Sequence, residues 1–173
     1  DSSTSRGLGD VYKRQLKLAS ELNIKYYAIS FVNSHKDLEE VKKIIGNNKF
    51  IISKIETKNA IFNLNKITKN SDALLIDRGD LSRYVPIEKI PIAQERIIKQ
   101  SIKLNTPTYV ATNLLESMIK ENEATRAESH DIYSTLKEGA EGLVLAAETA
   151  IGKNPVECVR FIKRCLTVYK TVS

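Results

Sequence analysis

Two charged residues end an apolar run in the sequence Phe50-Ile51-Ile52-Ser53-Lys54-Ile55-Glu56. Successive side chains of a β-strand point to opposite faces, so alternate residues share a face. The residues that share one face here are Phe50, Ile52, Lys54 and Glu56. Lys54 and Glu56 are therefore expected to meet at the carboxyl end of this strand, where a cation and an anion face the same space.

Three later apolar runs also end in polar residues, and these are Asp77-Arg78-Gly79-Asp80, Ala111-Thr112-Asn113 and Ala147-Glu148-Thr149. Gly79 allows a ligand to approach the backbone closely, and Asp80 supplies a second carboxylate. Two carboxylates with a lysine beside one of them suit a hard cation such as Mg²⁺, whereas zinc would need His and Cys. The alternative is a structural ion network of Lys54, Glu56, Arg78 and Asp80, and the spacing leaves both interpretations open.

The sequence leaves the direction of Asp77 open. Alternation places it on the face of Ala73 and Leu75, but Gly79 interrupts the regular pleat. In the mouth formed by the strand ends, Asp77 would add negative charge beside Glu56. Elsewhere it would need a cationic partner, because an unpaired buried carboxylate is costly. We expect a paired residue that does not bind metal.

Other motifs predict no chemistry. Members of a catalytic triad converge from distant positions, so Ser129-His130-Asp131 and Ser34-His35 are expected to be helix caps and surface residues. The glycines match neither a dinucleotide-binding fingerprint nor a phosphate-binding loop. Cys158 and Cys165 lie about two helical turns apart, which is too far for a disulfide. We expect both to be small packing residues.

After Leu16, short apolar runs alternate with amphipathic ones, which predicts alternating strands and helices. The predicted strands are 26–31, 50–55, 73–76, 108–112 and 142–146. Helices are predicted over 37–45, with Ser34 as cap and Gly46 as stop; from Thr57 to Ile67; around 92–102; and after Pro155, with Val159, Ile162 and Leu166 facing inward. This is the α/β class with parallel strands, either an open sheet or an arc of a barrel. In both, functional residues gather at the carboxyl ends of the strands.

The chain has 173 residues, a net charge of +6, 42% hydrophobic and 28% charged residues. This composition is typical of a globular protein, and the length is too short for a complete eight-unit barrel of about 250 residues. No apolar stretch approaches the roughly 18 residues of a membrane span or forms a signal peptide, so we expect a cytoplasmic protein. The lysines are scattered among acids, so neither nucleic acid nor a membrane is expected as a partner.

Residues 1–15 show neither helical nor strand periodicity and resemble translated adaptor sequence. We interpret them as a non-native or disordered tail. Residues 16–173 are then the domain that folds.

Five motifs stand at the predicted strand ends and helix starts: Ile52-Ser53-Lys54-Ile55-Glu56, Arg78-Gly79-Asp80-Leu81, Ala111-Thr112 through Leu115-Glu116-Ser117-Met118, Thr125-Arg126-Ala127-Glu128 and Glu148-Thr149-Ala150. Their order and spacing over residues 20–170 resemble the pyruvate kinase family. The resemblance implies a partial TIM (β/α)8 barrel, with five parallel βα units corresponding to strands four to eight. It also implies a glycolytic enzyme, which as a whole protein transfers the phosphoryl group of phosphoenolpyruvate to ADP and forms pyruvate and ATP.

By position, the resemblance implies Glu56 and Asp80 as ligands of Mg²⁺ or Mn²⁺. It implies that Lys54 offsets charge on the moving phosphoryl group, and that Thr112 and the amides of Gly79 and Asp80 hold the carboxylate of pyruvate. Thr112 is also implied near the protonation step. These roles agree with catalysis of phosphoryl transfer by positioning and charge neutralisation. The whole protein is implied to be a homo-oligomer, a tetramer, and to use K⁺ at a site outside this chain, and the isolated chain is expected to be inactive.

The sequence departs from the family pattern while retaining the implied metal and carboxylate residues. The departures are Asn33 for Arg, Asp77 for a small residue, Ser82 for Gly, Asn113 for Gln, Ala146-Ala147 for Ser-Gly, and Ile151 for Lys. They keep two alternatives open. One is a non-catalytic domain of this kind that binds a metal or a small acid, and the other, less favoured, is a Mg²⁺-dependent pyruvate or phosphoenolpyruvate lyase.

Overall fold

The structure, a computed structural model, describes residues 9–172, in which short strands alternate with helices. The strands are β1 (Tyr26–Ile29), β2 (Phe50–Ile55), β3 (Ala73–Asp77), β4 (Thr108–Ala111) and β5 (Gly142–Val144). The helices are α1 (Asp10–Glu21), α2 (His35–Ile45), α3 (Lys58–Phe62), α4 (Leu64–Lys69), α5 (Arg78–Leu81), α6 (Ile90–Lys103), α7 (Arg126–Glu138), α8 (Ala147–Ala150) and α9 (Pro155–Tyr169), with 3₁₀ turns at Ile87–Lys89 and Glu116–Ile119.

The five strands form one parallel sheet in the order β1-β2-β3-β4-β5. This confirms the predicted α/β class with five parallel βα units and is consistent with a partial barrel. The register pairs Lys54 with Leu75 and Asp77 with Ala111, so the ends of β2, β3 and β4 lie along one edge. Three strands, β1, β4 and β5, are shorter than predicted. After β1 and β4, Phe31 (φ 53°) and Thr112 (φ 70°) adopt left-handed backbone angles, which an extended strand does not accommodate.

The two faces of the sheet differ in burial. Side chains on one face pack against the helices and are fully buried, and they include Ile51, Ile55, Leu74, Ile76 and Val110. The opposite face carries Tyr26, Phe50, Ile52, Leu75 and Tyr109, which are half-buried or exposed. Within residues 9–172, the helices therefore cover the sheet on one side, and the other side carries the mouth residue Lys54 at its top.

Local sequence signals explain the helix ends. Ser34 and Asp37 form the predicted capping box of α2, and Gly46 ends this helix with φ of 88°. The side chain of Thr57 accepts a hydrogen bond from the amide of Ala60, as expected for a cap. The predicted helix from Thr57 to Ile67 is divided at Asn63 into α3 and α4.

Helix α9 requires a correction. Val159 was predicted to face inward, but it is 50% exposed, whereas Cys158 is fully buried and Ile162 is buried. The inward face therefore follows Cys158, Ile162 and Cys165, which are four and three residues apart. Both cysteines are free thiols, as predicted, and burial raises the pKa of each.

Helix α1 begins at Asp10, so it includes residues 10–15 of the segment that the sequence analysis interprets as a non-native or disordered tail. Leu16 is buried, and Tyr12 and Ala19 pack partly against the same core, so the contacts recur at helical spacing across residue 15. The pattern was missed because residues 10–15 were considered separately from Leu16. Residues 1–8 lie outside the described residues. No helix over residues 9–172 is both long and apolar enough to cross a bilayer.

Candidate active site

Lys54 lies at the end of β2 between two carboxylates. Its Nζ is 2.6 Å from Glu56 Oε1 and 3.1 Å from Asp77 Oδ2, and its side chain is 19% exposed. Burial alone would lower the pKa of Lys54, but its close contacts with the negative charges of Glu56 and Asp77 outweigh burial and raise the pKa. Lys54 is therefore held as a cation in the mouth, as alternation predicted.

Glu56 is fully buried, and its two oxygens have different partners. Oε2 accepts a 2.5 Å hydrogen bond from the amide of Phe31. Oε1 has the ammonium of Lys54 beside it but no partner with hydrogen-bond geometry among the described residues. A buried carboxylate oxygen in this condition suits an additional cation.

Asn33 supports the backbone turn that presents the Phe31 amide. Its Nδ2 donates to the carbonyl oxygen of Phe31 at 3.0 Å, and its Oδ1 accepts from the Thr57 hydroxyl at 2.7 Å. Sequence reasoning marked Asn33 as a departure from the family pattern and assigned it no role. The structure connects it to Glu56 through Phe31.

Asp77 points into the mouth. Besides its ion pair with Lys54, its Oδ1 accepts from the amide of Asp80 at 3.3 Å and lies 3.4 Å from the hydroxyl of Thr112. Asp77 thereby caps the short helix α5. The expected cationic partner exists, and it is the lysine of the mouth itself.

Three carboxylates converge here, since oxygens of Glu56, Asp77 and Asp80 all lie within 4.8 Å of one another. The Asp80 side chain is 25% exposed, and its Oδ1 is 3.4 Å from the exposed Arg83. Oxygen donors of this kind fit a hard divalent cation such as Mg²⁺ or Mn²⁺. The donor set therefore agrees with the type of metal that the sequence predicted.

Thr112 connects the ends of β3 and β4. Its Oγ1 accepts from the amide of Gly79 at 2.8 Å and is 2.6 Å from the carbonyl oxygen of Ala111. Its own carbonyl oxygen accepts from Arg78 Nε at 3.1 Å and NH2 at 2.9 Å. The structure thus brings Thr112, Gly79, Asp80 and Lys54 together, with Asp77 among them.

Arg78 does not join the mouth cluster, which consists of Lys54, Glu56, Asp77 and Asp80. It is buried, and its guanidinium binds both carboxylate oxygens of Asp131, at 2.8 and 2.9 Å. The structural network predicted as the alternative is therefore divided, because Lys54 and Glu56 contact each other while Arg78 holds the Thr112 loop to α7. Sequence reasoning missed this role, since Asp131 is 53 residues away and appeared only in a dismissed motif.

Glu148, after β5, has a different environment. It is 1% exposed and accepts hydrogen bonds from the amides of Ala146 at 2.8 Å, Leu115 at 3.1 Å and Leu114 at 3.2 Å. Burial would raise the pKa of Glu148, but these backbone hydrogen bonds outweigh it and lower the pKa. Its oxygens are thus committed to the backbone.

Comparisons with known proteins find a matching family model and several similar proteins. A family model described as pyruvate kinase, barrel domain, matches residues 5–159. The chain is 42% identical over 152 residues to a pyruvate kinase of Thermotoga maritima, covering 86% of this chain and 33% of that protein. It is 39% identical over 158 residues to a pyruvate kinase of Methanocaldococcus jannaschii, with 90% and 35% covered, and 39% over 162 residues to pyruvate kinase isozyme G, chloroplastic, of Ricinus communis, with 92% and 38% covered. The chain spans about a third of the length of these relatives.

Proposed function

The chain belongs to the pyruvate kinase family, and from this premise we propose that its whole protein transfers the phosphoryl group of phosphoenolpyruvate to ADP, forming pyruvate and ATP. The observation that carries the proposal is the mouth cluster, in which Lys54 lies 2.6 Å from Glu56 and the oxygens of Glu56, Asp77 and Asp80 lie within 4.8 Å of one another. Phosphoryl transfer depends mainly on positioning and on charge neutralisation, and this cluster combines a cation with donors for a divalent ion.

Glu56 and Asp80 are assigned to Mg²⁺ or Mn²⁺. Glu56 Oε1 lacks a hydrogen bond in the described part of the chain, and Asp80 is partly exposed, so each offers an oxygen to a cation. The ion, when bound, supplies positive charge that offsets the negative charge of phosphoryl oxygens. A K⁺ ion is assigned to the whole protein, at a site outside this chain.

Lys54 is assigned to the moving phosphoryl group, where a partly buried ammonium stabilises growing oxygen charge more strongly than it would in water. The Thr112 hydroxyl and the amides of Gly79 and Asp80 are assigned to the carboxylate of pyruvate. The Gly79 amide donates a 2.8 Å hydrogen bond to Thr112 Oγ1, so the two groups lie side by side. Thr112 is further assigned to protonation of the enolate, through a water molecule.

The test is a coupled pyruvate assay of the whole protein with the Lys54→Met variant. The variant is expected to lower kcat by at least about 100-fold, because the ammonium acts on charge that develops in the transition state. The Mg²⁺ concentration for half activity should change less. Lys99→Met, an exposed lysine on α6, is the matched control and should behave as wild type. A wild-type protein without activity would overturn the proposal.

Asp80→Asn separates metal binding from charge offset. It is expected to raise the Mg²⁺ concentration for half activity about 10-fold, since a ligand carboxylate becomes a neutral amide. An unchanged Mg²⁺ requirement would remove Asp80 from the proposed ligands and return it to a structural ion pair.

One observation favours a second candidate, a non-catalytic domain that binds a divalent ion. Asp77 pairs with the lysine assigned to the phosphoryl group, so an additional carboxylate occupies the mouth. This candidate predicts that the whole protein binds Mn²⁺ but forms no pyruvate from phosphoenolpyruvate with ADP. The coupled assay together with a Mn²⁺ titration distinguishes the two functions.

Further proposals concern the whole protein. We assign it to the cytoplasm and to a homo-oligomer, a tetramer, and we expect the isolated 173-residue chain to be inactive because one sheet face is uncovered within the described residues. Light scattering of the purified protein tests the oligomer. A fluorescent fusion distinguishes the cytoplasm from a plastid, and pyruvate formation by the isolated chain would contradict the third proposal.

The interpretation of residues 1–15 as a tail that is foreign to the fold stays a prediction, and two deletions test it. Deletion of residues 1–9 leaves α1 whole and should leave the free energy of unfolding unchanged. Deletion of residues 1–15 removes Tyr12, which packs partly against the core, and should cost about 1 kcal/mol. Equal stability of the two deletions would support a tail that is foreign to the fold over all 15 residues.

A further inference from the structure

Asp77 engages the groups that the proposed function assigns to substrate. Its Oδ2 is 3.1 Å from Lys54 Nζ, and its Oδ1 accepts from the Asp80 amide at 3.3 Å and lies 3.4 Å from the Thr112 hydroxyl. A carboxylate of the chain thus contacts the Asp80 amide and the Thr112 hydroxyl, which are assigned to the substrate carboxylate, and the lysine that is assigned to the phosphoryl group. Asp77 is 9% exposed, so water does little to screen this competition.

The formal charges of the side chains in the mouth also bear on how the site binds anions and cations. Lys54 is one cation among the three carboxylates of Glu56, Asp77 and Asp80. With a divalent cation bound, the net charge of these four side chains and the ion would be zero. Without Asp77, the net charge of the remaining side chains and the ion would be +1. Arg83 adds little, because it is 73% exposed and pairs with Asp80 at 3.4 Å.

We propose that Asp77 is a specificity-determining residue that competes with the substrate carboxylate for Thr112 and the Asp80 amide, and with the phosphoryl group for Lys54. This inference rests on the proposed function. Asp77 lowers the affinity of the site for carboxylate anions of the size of pyruvate and raises its affinity for divalent cations. The two effects have opposite signs because the same negative charge repels the anion and attracts the metal.

A purely structural role predicts something different. Asp77 caps α5, so a residue that only held this helix in place would lower both affinities together when it is removed. Competition instead predicts that one affinity falls while the other rises. An increase in affinity also cannot result from unfolding, which keeps the inference testable even if a variant is less stable.

The experiment uses the whole protein and its variants Asp77→Ala and Asp77→Asn. Electron paramagnetic resonance measures Mn²⁺ affinity, and calorimetry measures pyruvate binding to the Mn²⁺-saturated protein. The matched control is Glu95→Ala, which removes one negative charge from an exposed position on α6. It should leave both dissociation constants unchanged.

Both variants are expected to weaken Mn²⁺ binding about 10-fold. Asp77→Ala should tighten pyruvate binding about 10-fold, because it removes the charge and frees the donors. Asp77→Asn should tighten it less, because the amide keeps an acceptor oxygen for the Asp80 amide and cap. If Asp77→Ala does not fold, the same two opposite shifts are required of Asp77→Asn.

If the folded Asp77 variants still bind Mn²⁺ but bind pyruvate no more tightly than wild type, the inference about Asp77 is overturned. The proposed function is not affected by that result. Absence of pyruvate binding in wild type and both variants, with Mn²⁺ bound, would overturn the carboxylate assignment and the inference with it. The kinase proposal is decided separately by the coupled assay of Lys54→Met in the whole protein.

Discussion

Glu56 and Glu148 are equally buried glutamates that follow strands of the same sheet, yet their oxygens are held in different ways. Glu148 accepts hydrogen bonds from three backbone amides. Glu56 accepts one amide hydrogen bond, from Phe31, and its other oxygen faces the ammonium of Lys54. One carboxylate is therefore saturated by the backbone, and the other has an oxygen whose neighbour is a side chain.

The difference shows that burial alone does not identify a functional carboxylate. The hydrogen bonds of Glu148 fix the loop after β4 to the start of α8, so this charge contributes to stability. Glu56 adjoins other charged side chains, and among the described residues its Oε1 has no hydrogen bond, which suits the ligand role proposed for it. The state of each oxygen separates the two roles.

Among the substitutions that test this comparison, Glu148→Ala is expected to have the largest effect. The substitution leaves two buried amides and one partly buried amide without their acceptor, and it should lower the free energy of unfolding by about 3–5 kcal/mol. Urea unfolding followed by circular dichroism measures the loss, with the exposed Glu141→Ala as control. A loss within about 1 kcal/mol would mean that the amides find other acceptors.

Glu56→Gln tests the other member of the pair. It should weaken Mn²⁺ binding by about 10-fold or more, while the free energy of unfolding falls by about 1 kcal/mol, because Lys54 retains Asp77 as a partner. Mn²⁺ titration and urea unfolding of the same variant give the two values. Undiminished Mn²⁺ affinity would place Glu56 in the same structural class as Glu148.

The pH dependence of the free energy of unfolding tests the role of Glu148 in this comparison. Its pKa is lowered below the ordinary value of 4.5, so the unfolded chain binds the proton more readily than the folded chain. The stabilising contribution is thus present above about pH 4.5 and is lost as the pH falls through the folded pKa. The difference in unfolding free energy between wild type and Glu148→Gln should narrow from pH 6 to pH 3, and a constant difference would contradict the role given to the three amides.

The smallest change in the free energy of unfolding is expected for a substitution of Tyr12, whose hydroxyl is influenced by the charge of Glu56. Burial, with the charge of Glu56, raises the pKa of Tyr12, and its hydroxyl has no hydrogen-bond partner within residues 9–172. Tyr12→Phe should change the free energy of unfolding by less than about 0.5 kcal/mol and leave Mn²⁺ affinity unchanged. A loss above 1 kcal/mol, measured by urea unfolding, would reveal a partner for the hydroxyl.

The sequence predicted the parts that local rules determine. Alternation correctly put Lys54 and Glu56 on one face, and the pattern of Ser34, Asp37 and Gly46 correctly gave the bounding signals of α2. These predictions succeed because strand periodicity and helix capping depend on residues close together in the chain.

The remaining features depend on distant contacts. The direction of Asp77 is set by Lys54 and Thr112, which lie 23 residues before it and 35 residues after it. Arg78 finds Asp131 across 53 residues, and no local signal marks that pairing. Nothing near Glu148 in the sequence distinguishes it from Glu56, because its amide donors at Leu114 and Leu115 come from another strand end.

The strands stand in the sheet in the same order as in the chain. During translation, each new strand can therefore pair with the strand synthesised just before it. Pairing among these five strands does not require a segment that is distant in the chain. Short separations between partners favour rapid assembly, since little loop entropy is lost at each step. The same open edge that accepts the next unit from the ribosome would also accept a strand from a neighbouring chain, so stalled synthesis exposes this protein to aggregation.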